Sequence, residues 1–475
     1  MSSKQSVLAI IFLFAFLAIG KSDSKPIMVI ELIRHGARAA FAPIWDTTKA
    51  WDGLYGELTN AGMRMHYLLG QSVAKDYPEL LGTYDPSQIS VYSTDVNRTI
   101  MSAYSHLYGM FNPGVNYTLT PFQNGTALPP GLENQDLSEF IKDGFALPNG
   151  IRPVPVHIVA RFRDYFLSPE TGCTNFNNIS QGTLNSTRFQ EFKTIMNSTT
   201  KLIEDYSKQF NVPLSDIWSY QSLADVLIAN WFENIPFPVN ITYGSKEWHD
   251  LMFYNNWVVS YMYTGQNETL KISAVNLFDR MFTQLRGKLN GTFDKKFALH
   301  SAHDTTLMPM LATLGLVTTD CLRDVYLGKL PEHECAFPEY SANIITELYN
   351  DTAKPYVKFR YNGNYKNICN TTDFTCDLDV YEQIVRDRLQ NYTTADYIKD
   401  CGISSQVDPT PQPTPTPDPN PNPSNERTTL IVFVVLIGVV VVIEVIVLIM
   451  FLLKKKGKEI TDMSRPADQS LISQP

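Results

Sequence analysis

Apolar positions change period several times along the chain, and each change marks an expected element. Residues 27–33, IMVIELI, form a short, mostly apolar run without alternation, bounded by Pro26 and Arg34. A run of this kind predicts a strand buried on both faces, as in a parallel sheet. From Leu58-Thr59-Asn60-Ala61-Gly62 the pattern turns helical, carrying Met63, Tyr67, Leu68 and Val73 before Pro78. Residues 89–93 (ISVYS) and 297–301 (FALHS) predict two further short strands. Helices are expected over 99–110 and from about Thr305, where Leu307, Met310, Leu311 and Leu314 make one apolar face. Recurring strand, polar turn and helix predict the α/β class, with a mostly parallel central sheet flanked by helices. The stretch 112–289 is richer in loops and helix-like segments, such as 189–209 and 222–232, and predicts a mainly helical cap. Alternation over 341–360 suits return strands.

The two ends of the chain read differently. Lys4, an apolar run over 7–19 and the small residues Ala18 and Gly20 predict a signal peptide over 1–20. Residues 429–453 are almost entirely Val, Ile, Leu, Phe and Met, with Glu444 inside the run. At about 1.5 Å of rise per residue, such a helix would span a hydrocarbon core. Lys454, Lys455, Lys456 and Lys458 follow it, which orients 454–475 as a cytoplasmic tail. Between lies DPTPQPTPTPDPNPNPS, part of an extended Pro-rich stalk over 408–428. The expectation is a single-pass type I membrane protein at the cell surface or endolysosomal membrane, with its folded domain over 21–407.

Composition narrows the class further. The chain has 475 residues and a formal charge of -9, with no basic block in its main body, which argues against a nucleic-acid partner. Twelve Asn-X-Ser/Thr sequons, from Asn97 to Asn391, suit a glycosylated luminal domain. Six cysteines, an even number, suggest three disulfides in an oxidising compartment.

Three polar clusters each follow an expected strand: Arg34-His35-Gly36-Ala37-Arg38, Asp95 to Arg98, and His303-Asp304. Ligands bind at the carboxyl ends of strands in open parallel sheets, so these distant spots make one candidate pocket. Arg34, Arg38 and Arg98 offer forked N–H donors suited to phosphate. Gly36 lets the backbone approach an anion. Positive neighbours favour a neutral His35, the nucleophilic form. Asp304 would give a proton to a departing alcohol and then activate water, with His303 donating to phosphate or setting the field around Asp304. Arginines can neutralise the transferring group, so no metal or other cofactor is needed. The same residues also fit surface charges on a turn and a chance His-Asp pair. Asp95 either orients Arg98 or caps the following helix.

The strings LIRHGARAAF, STDVNRT and HSAHDTTL, in this order, resemble the histidine acid phosphatases, especially the prostatic and lysosomal type with a membrane anchor. The resemblance covers most of 26–401. It implies His35 as nucleophile, Asp304 as proton donor, and Arg34, Arg38, Arg98 and His303 as phosphate-binding residues. It also implies an α/β core with a helical cap, acidic phosphomonoester hydrolysis without a metal, and frequent homodimers. For the cysteines it implies Cys173–Cys401 and Cys369–Cys376, leaving Cys321–Cys335 as a pair particular to this branch. One departure is Ala40, where the family commonly has a proline that would stiffen the turn.

His66, His106, His157, His249, His300 and His333 are scattered, without His-x-x-x-His spacing, and read as ordinary surface or core residues. Asn97 is expected to stay unglycosylated, because a glycan there would crowd the pocket. Three functions fit the sequence: a broad acid phosphatase acting through phosphohistidine, a phosphatase specialised for inositol phosphates or phospholipids, and a glycosylated binding ectodomain without catalysis.

Overall fold

The computed structural model describes residues 24–403, apart from 47–48, 83, 112–117, 129–143, 148–149, 215–216 and 352. Chain contacts divide the molecule into Met1–Pro409 and Thr410–Pro475, and every described residue belongs to the first unit.

The frame is a mixed sheet. Its strands are β1 (Met28–Arg34), β2 (Ile89–Thr94), β3 (His157–Val159), β4 (Phe297–Ala302), β5 (Asn343–Tyr349), β6 (Tyr356–Tyr361), β7 (Asn364–Lys366) and β8 (Cys376–Asp377). They run in the order β3-β2-β4-β1-β5-β6-β7, with β8 paired to β6. β3, β2, β4 and β1 are parallel, and β5 turns the sheet antiparallel. This is the α/β architecture the periodicity called for.

All seven residues of β1 are buried, because each face is covered. Val29 and Ile33 pack in one core with Val73, Ala103 and Leu107. These last three come from α1 (Asn60–Asp76) and α2 (Asn97–Met110). Met28, Ile30 and Leu32 face the other core. There they meet α4 (Lys246–Thr264), α5 (Asn267–Asn290) and α6 (Asp304–Thr313). A smaller core joins α3 (Ile217–Phe232) to the segment containing Ala39, Ala40 and Trp45.

The stretch 112–289 is not uniformly helical. It contributes β3 to the sheet edge, and α5 packs directly on the sheet face rather than over it. The expected helix over 189–209 is two helices, Thr187–Ile195 and Asn197–Phe210, broken at Met196. Disulfides join Cys173 to Cys401, Cys321 to Cys335 and Cys369 to Cys376.

The expected membrane topology requires correction. Among the described residues no helix is long and apolar enough to cross a membrane. The two longest, α4 and α5, carry charged residues such as Glu247, Asp250, Asp279 and Arg280, and their apolar sides are spent on the core. The segments that suggested a signal, stalk, span and tail, 1–20 and 408–475, lie outside the described residues. Membrane anchoring, type I orientation and placement at the cell surface or endolysosomal membrane are therefore not retained.

Candidate active site

The parallel strands deliver three polar clusters to one end of the sheet. β1 ends at Arg34 beside Ala302 of β4, and the His35 backbone N–H donates to the Ala302 carbonyl at 3.0 Å. His303 and Asp304 follow directly on that neighbouring strand. Arg98 lies in the first turn of α2, which follows β2 on the other side of β4.

Gly36 is required by close approach. A Cβ there would lie 2.5 Å from the Gly62 carbonyl oxygen, inside the backbone of α1. Its N–H donates to Ser102 Oγ of α2 at 3.1 Å. The turn is thus clamped between two helices, with no slack around His35.

The His35 ring is 2% exposed. Its Nδ1 lies 2.9 Å from the Gly36 carbonyl. A carbonyl can only accept, so Nδ1 carries the hydrogen and Nε2 keeps its lone pair. Burial, then the charges of Arg98, Arg34, His303 and Arg38, hold the imidazole well below its ordinary pKa. The nucleophilic form is the resting form.

Arg34 donates to the Pro338 carbonyl at 2.7 Å and pairs with Asp304 Oδ2 at 2.7 Å. Asp304 opens α6, and its Oδ1 accepts from the Thr305 N–H at 2.8 Å. Arg38 is held by a residue from α3: its two terminal nitrogens reach Asp225 at 3.2 and 2.7 Å. Burial opposes the Arg38 charge, but Asp225 more than offsets this and holds the group above its ordinary range. Burial and then Arg38 bring Arg98 down to about 10, still cationic at neutral and acidic pH.

His303 contacts Arg98 through Nδ1 at 3.4 Å and Thr94 Oγ1 through Nε2 at 3.0 Å. A guanidinium only donates, so Nδ1 accepts and Nε2 carries the hydrogen. Thr94 Oγ1 lies 2.8 Å from Thr99 Oγ1, which donates onward to the Val96 carbonyl. The chain fixes the His303 ring beside His35, with ring centroids 5.5 Å apart.

Arg34, His35, Arg38, Arg98, His303 and Asp304 therefore meet in one place. Asp95 does not join them: it is exposed, forms no ion pair with Arg98, and the N-cap position of α2 is Val96. His300 packs edge-on against Phe166, with centroids 4.8 Å apart. Asn97 is exposed and donates to Glu57 at 2.9 Å.

Sequence reasoning missed Asp225, which holds Arg38, Tyr340, whose ring centroid lies 5.6 Å from that of His35, and Arg161, whose charge acts on Arg98 and His303. The signal for Asp225 is a lone carboxylate in the apolar stretch Leu223 to Ile228. Arg161 follows β3 just as the other clusters follow their strands, but three residues were too few to read as a strand. Asp225 also explains how the turn does without proline at position 40. Its Oδ2 accepts from the Phe41 N–H at 2.6 Å, Ala39 N–H bonds the Glu57 carbonyl, and the Ala40 carbonyl accepts from Gly56. Hydrogen bonds supply the stiffness that a pyrrolidine ring would have given.

A family model, the histidine phosphatase superfamily (branch 2), matches residues 27–362. The chain belongs to this superfamily. This histidine phosphatase is an acid phosphatase, and among its described residues no group of three or more His, Cys, Asp and Glu is placed to hold a metal ion. It is 26% identical over 373 residues to human prostatic acid phosphatase, covering 74% of this chain and 82% of the relative. Putative acid phosphatase 5 of Caenorhabditis elegans is 24% identical over 380 residues, covering 78% of each chain. Among solved structures, the phytase of Hafnia alvei in complex with tartrate superposes with a TM-score of 0.55 at 15% identity, covering 80% of this chain and 99% of that one. The Citrobacter braakii phytase gives 0.54 at 16% identity, covering 80% of this chain and all of that one. At such identity the likeness concerns the fold of the histidine phosphatase alone.

Proposed function

We propose that the enzyme hydrolyses phosphate monoesters through a covalent phosphohistidine at His35. The observation that carries this is the fixed tautomer: Nδ1 is committed to the Gly36 carbonyl, so Nε2 holds a lone pair among Arg34, Arg38 and Arg98. In the first step Nε2 bonds to phosphorus while the ester P–O bond breaks, and Asp304 protonates the departing oxygen. In the second, Asp304 takes a proton from water, whose oxygen bonds to phosphorus as the P–N bond breaks, releasing inorganic phosphate. Arg34, Arg38 and Arg98 stabilise charge on the non-bridging oxygens throughout, and His303, held through Nε2 by Thr94, steadies the Arg98 fork. In the free enzyme Arg34 is paired to Asp304. An incoming phosphate competes for that fork and releases the carboxyl for proton transfer.

The test is trapping of labelled phosphate with an alkaline denaturing quench. The wild type should yield a phosphoenzyme that is stable to alkali and labile to acid, and His35→Ala should yield none and turn over no ester. Trapping in His35→Ala would overturn the assignment, and an inactive wild type would favour a non-catalytic binding domain.

A second reading, hydrolysis of inositol phosphates, has support of its own. The solved structures of like fold include phytases, and one, from Hafnia alvei, is in complex with myo-inositol hexakis sulphate. Comparing kcat/KM for inositol hexakisphosphate with that for simple monoesters separates the two readings.

A further inference from the structure

Asp225 anchors Phe41 by its backbone, yet the ring of Phe41 remains 60% exposed. Covering such a ring with another apolar surface is favourable. Its neighbours are the guanidinium carbons of Arg38 at 5.5 Å and Arg98 at 5.8 Å from the ring centroid. Phe41 thus borders the phosphate cradle directly.

A second ring borders it too. Tyr340 lies 4.7 Å from the Arg34 guanidinium, 5.8 Å from that of Arg38 and 5.6 Å from the His35 ring. Arg38 touches both Phe41 and Tyr340, so the two rings bracket the place where the arginines converge. From Tyr340 a contiguous aromatic path runs outward. Phe232 meets it at 5.5 Å, and Trp231 meets Phe232 at 4.7 Å. Exposure rises along this path, from 8% at Tyr340 to 42% at Trp231.

We propose that Phe41 and the Tyr340–Phe232–Trp231 path form the leaving-group subsite, and that it selects phosphomonoesters of flat aromatic alcohols. This rests on His35 acting as the phosphate acceptor, because the rings matter only if the ester oxygen points outward between them. An aromatic leaving group stacked on Phe41 buries a ring that is otherwise wet and stays within reach of the Arg98 cation. The cradle's own charge is already partly committed. Carboxylates pair with Arg34 and Arg38 before substrate arrives, and the aromatic rings add apolar contact at the mouth.

The test uses the full chain with Phe41→Ala, Phe41→Tyr and Trp231→Ala. Naphthyl phosphate, glycerol 2-phosphate and inositol hexakisphosphate serve as substrates, and inorganic phosphate as competitive inhibitor. Phe41→Ala should cut kcat/KM for naphthyl phosphate about tenfold, mainly through KM, with a loss on glycerol 2-phosphate at least about fivefold smaller. Phe41→Tyr should recover most of the loss, and Ki for phosphate should move less than about twofold. Trp231→Ala should weaken naphthyl phosphate in the same sense. Equal losses on all three substrates, or no loss on the aryl ester, would overturn the subsite. Residual phosphoenzyme in His35→Ala would instead defeat the underlying mechanism, so the two failures are told apart.

Discussion

Asp225 grips Arg38 by both terminal guanidinium nitrogens, at 3.2 and 2.7 Å, and so ties α3 to the turn that carries the nucleophile. The contact is a fork–fork pair between side chains only 10% and 17% exposed. It joins two segments almost two hundred residues apart.

Removing Asp225 leaves a buried guanidinium without its counter-charge and the Phe41 N–H without an acceptor. Asp225→Ala should destabilise the domain by about 3 kcal/mol and lower kcat/KM for every monoester, because Arg38 loses its orientation. Asp225→Asn, which keeps an acceptor, should fall between. Chemical denaturation alongside steady-state rates checks this; an Ala variant with unchanged rate would show that Arg38 needs no positioning.

Glu31 and His106 form a second pair, fully buried, 3.1 Å apart, with Asn343 donating to the other carboxylate oxygen at 3.0 Å. Glu31 sits three residues before Arg34, and His106 lies two helical steps of four beyond Arg98 on α2. Ser102, midway, holds Gly36. Either single change, Glu31→Leu or His106→Leu, should cost about 1–3 kcal/mol by leaving a buried polar group without its neighbour. The double change to leucine should recover most of that stability. If α2 needs the pair to hold Arg98 in register, the double variant will be stable and slow; wild-type kcat in a stable double variant would make the pair purely structural.

Stability should fall on acidification, and the sign follows from which groups folding keeps neutral. Burial is the first cause for His35, His66, His300 and His303, which all lie below their ordinary pKa, His66 at about 3. The unfolded chain therefore binds protons below about pH 6.5 that the folded one refuses, and each such proton costs about 1.4 kcal/mol per pH unit. Three carboxyls oppose this. Burial raises Asp164 to about 6, Glu170 to about 7 and Glu339 above its ordinary value, so their contribution is present at low pH and lost as pH rises. The histidines outnumber the carboxyls, and below about pH 4 the carboxyls are protonated in both states. Unfolding midpoints at pH 7, 5.5 and 3.5 should drop slightly and then steeply. A midpoint that climbs towards pH 3.5 would contradict the neutral histidines.

Asp304→Asn removes the proposed acid while keeping a polar group beside Arg34. Its loss in the rate of phosphoenzyme formation should be large, about 10²–10⁴-fold, for alkyl esters and small for a nitrophenyl ester, whose oxygen leaves without a proton. Equal slowing of phosphoenzyme formation for both would remove Asp304 from leaving-group protonation.

Much was legible in the one-dimensional pattern because it rests on local rules. The unbroken apolar run of β1, the helical spacing after Thr59 and the strand-end positions of Arg34, Arg98 and His303 follow from burial on two faces and from parallel connectivity. A phosphate cradle needs arginines and a glycine turn, and those residue types announce themselves. Tertiary packing alone decided the rest. Which carboxylate would hold Arg38, that Ala40 would be braced by Asp225 and Gly56, and that Tyr340 would close over His35 depend on contacts between residues remote in sequence. The three-residue β3 was unreadable because its pairing, rather than its composition, makes it a strand. Local chemistry is written in residue type and spacing; geometry among distant side chains exists only once the sheet has closed.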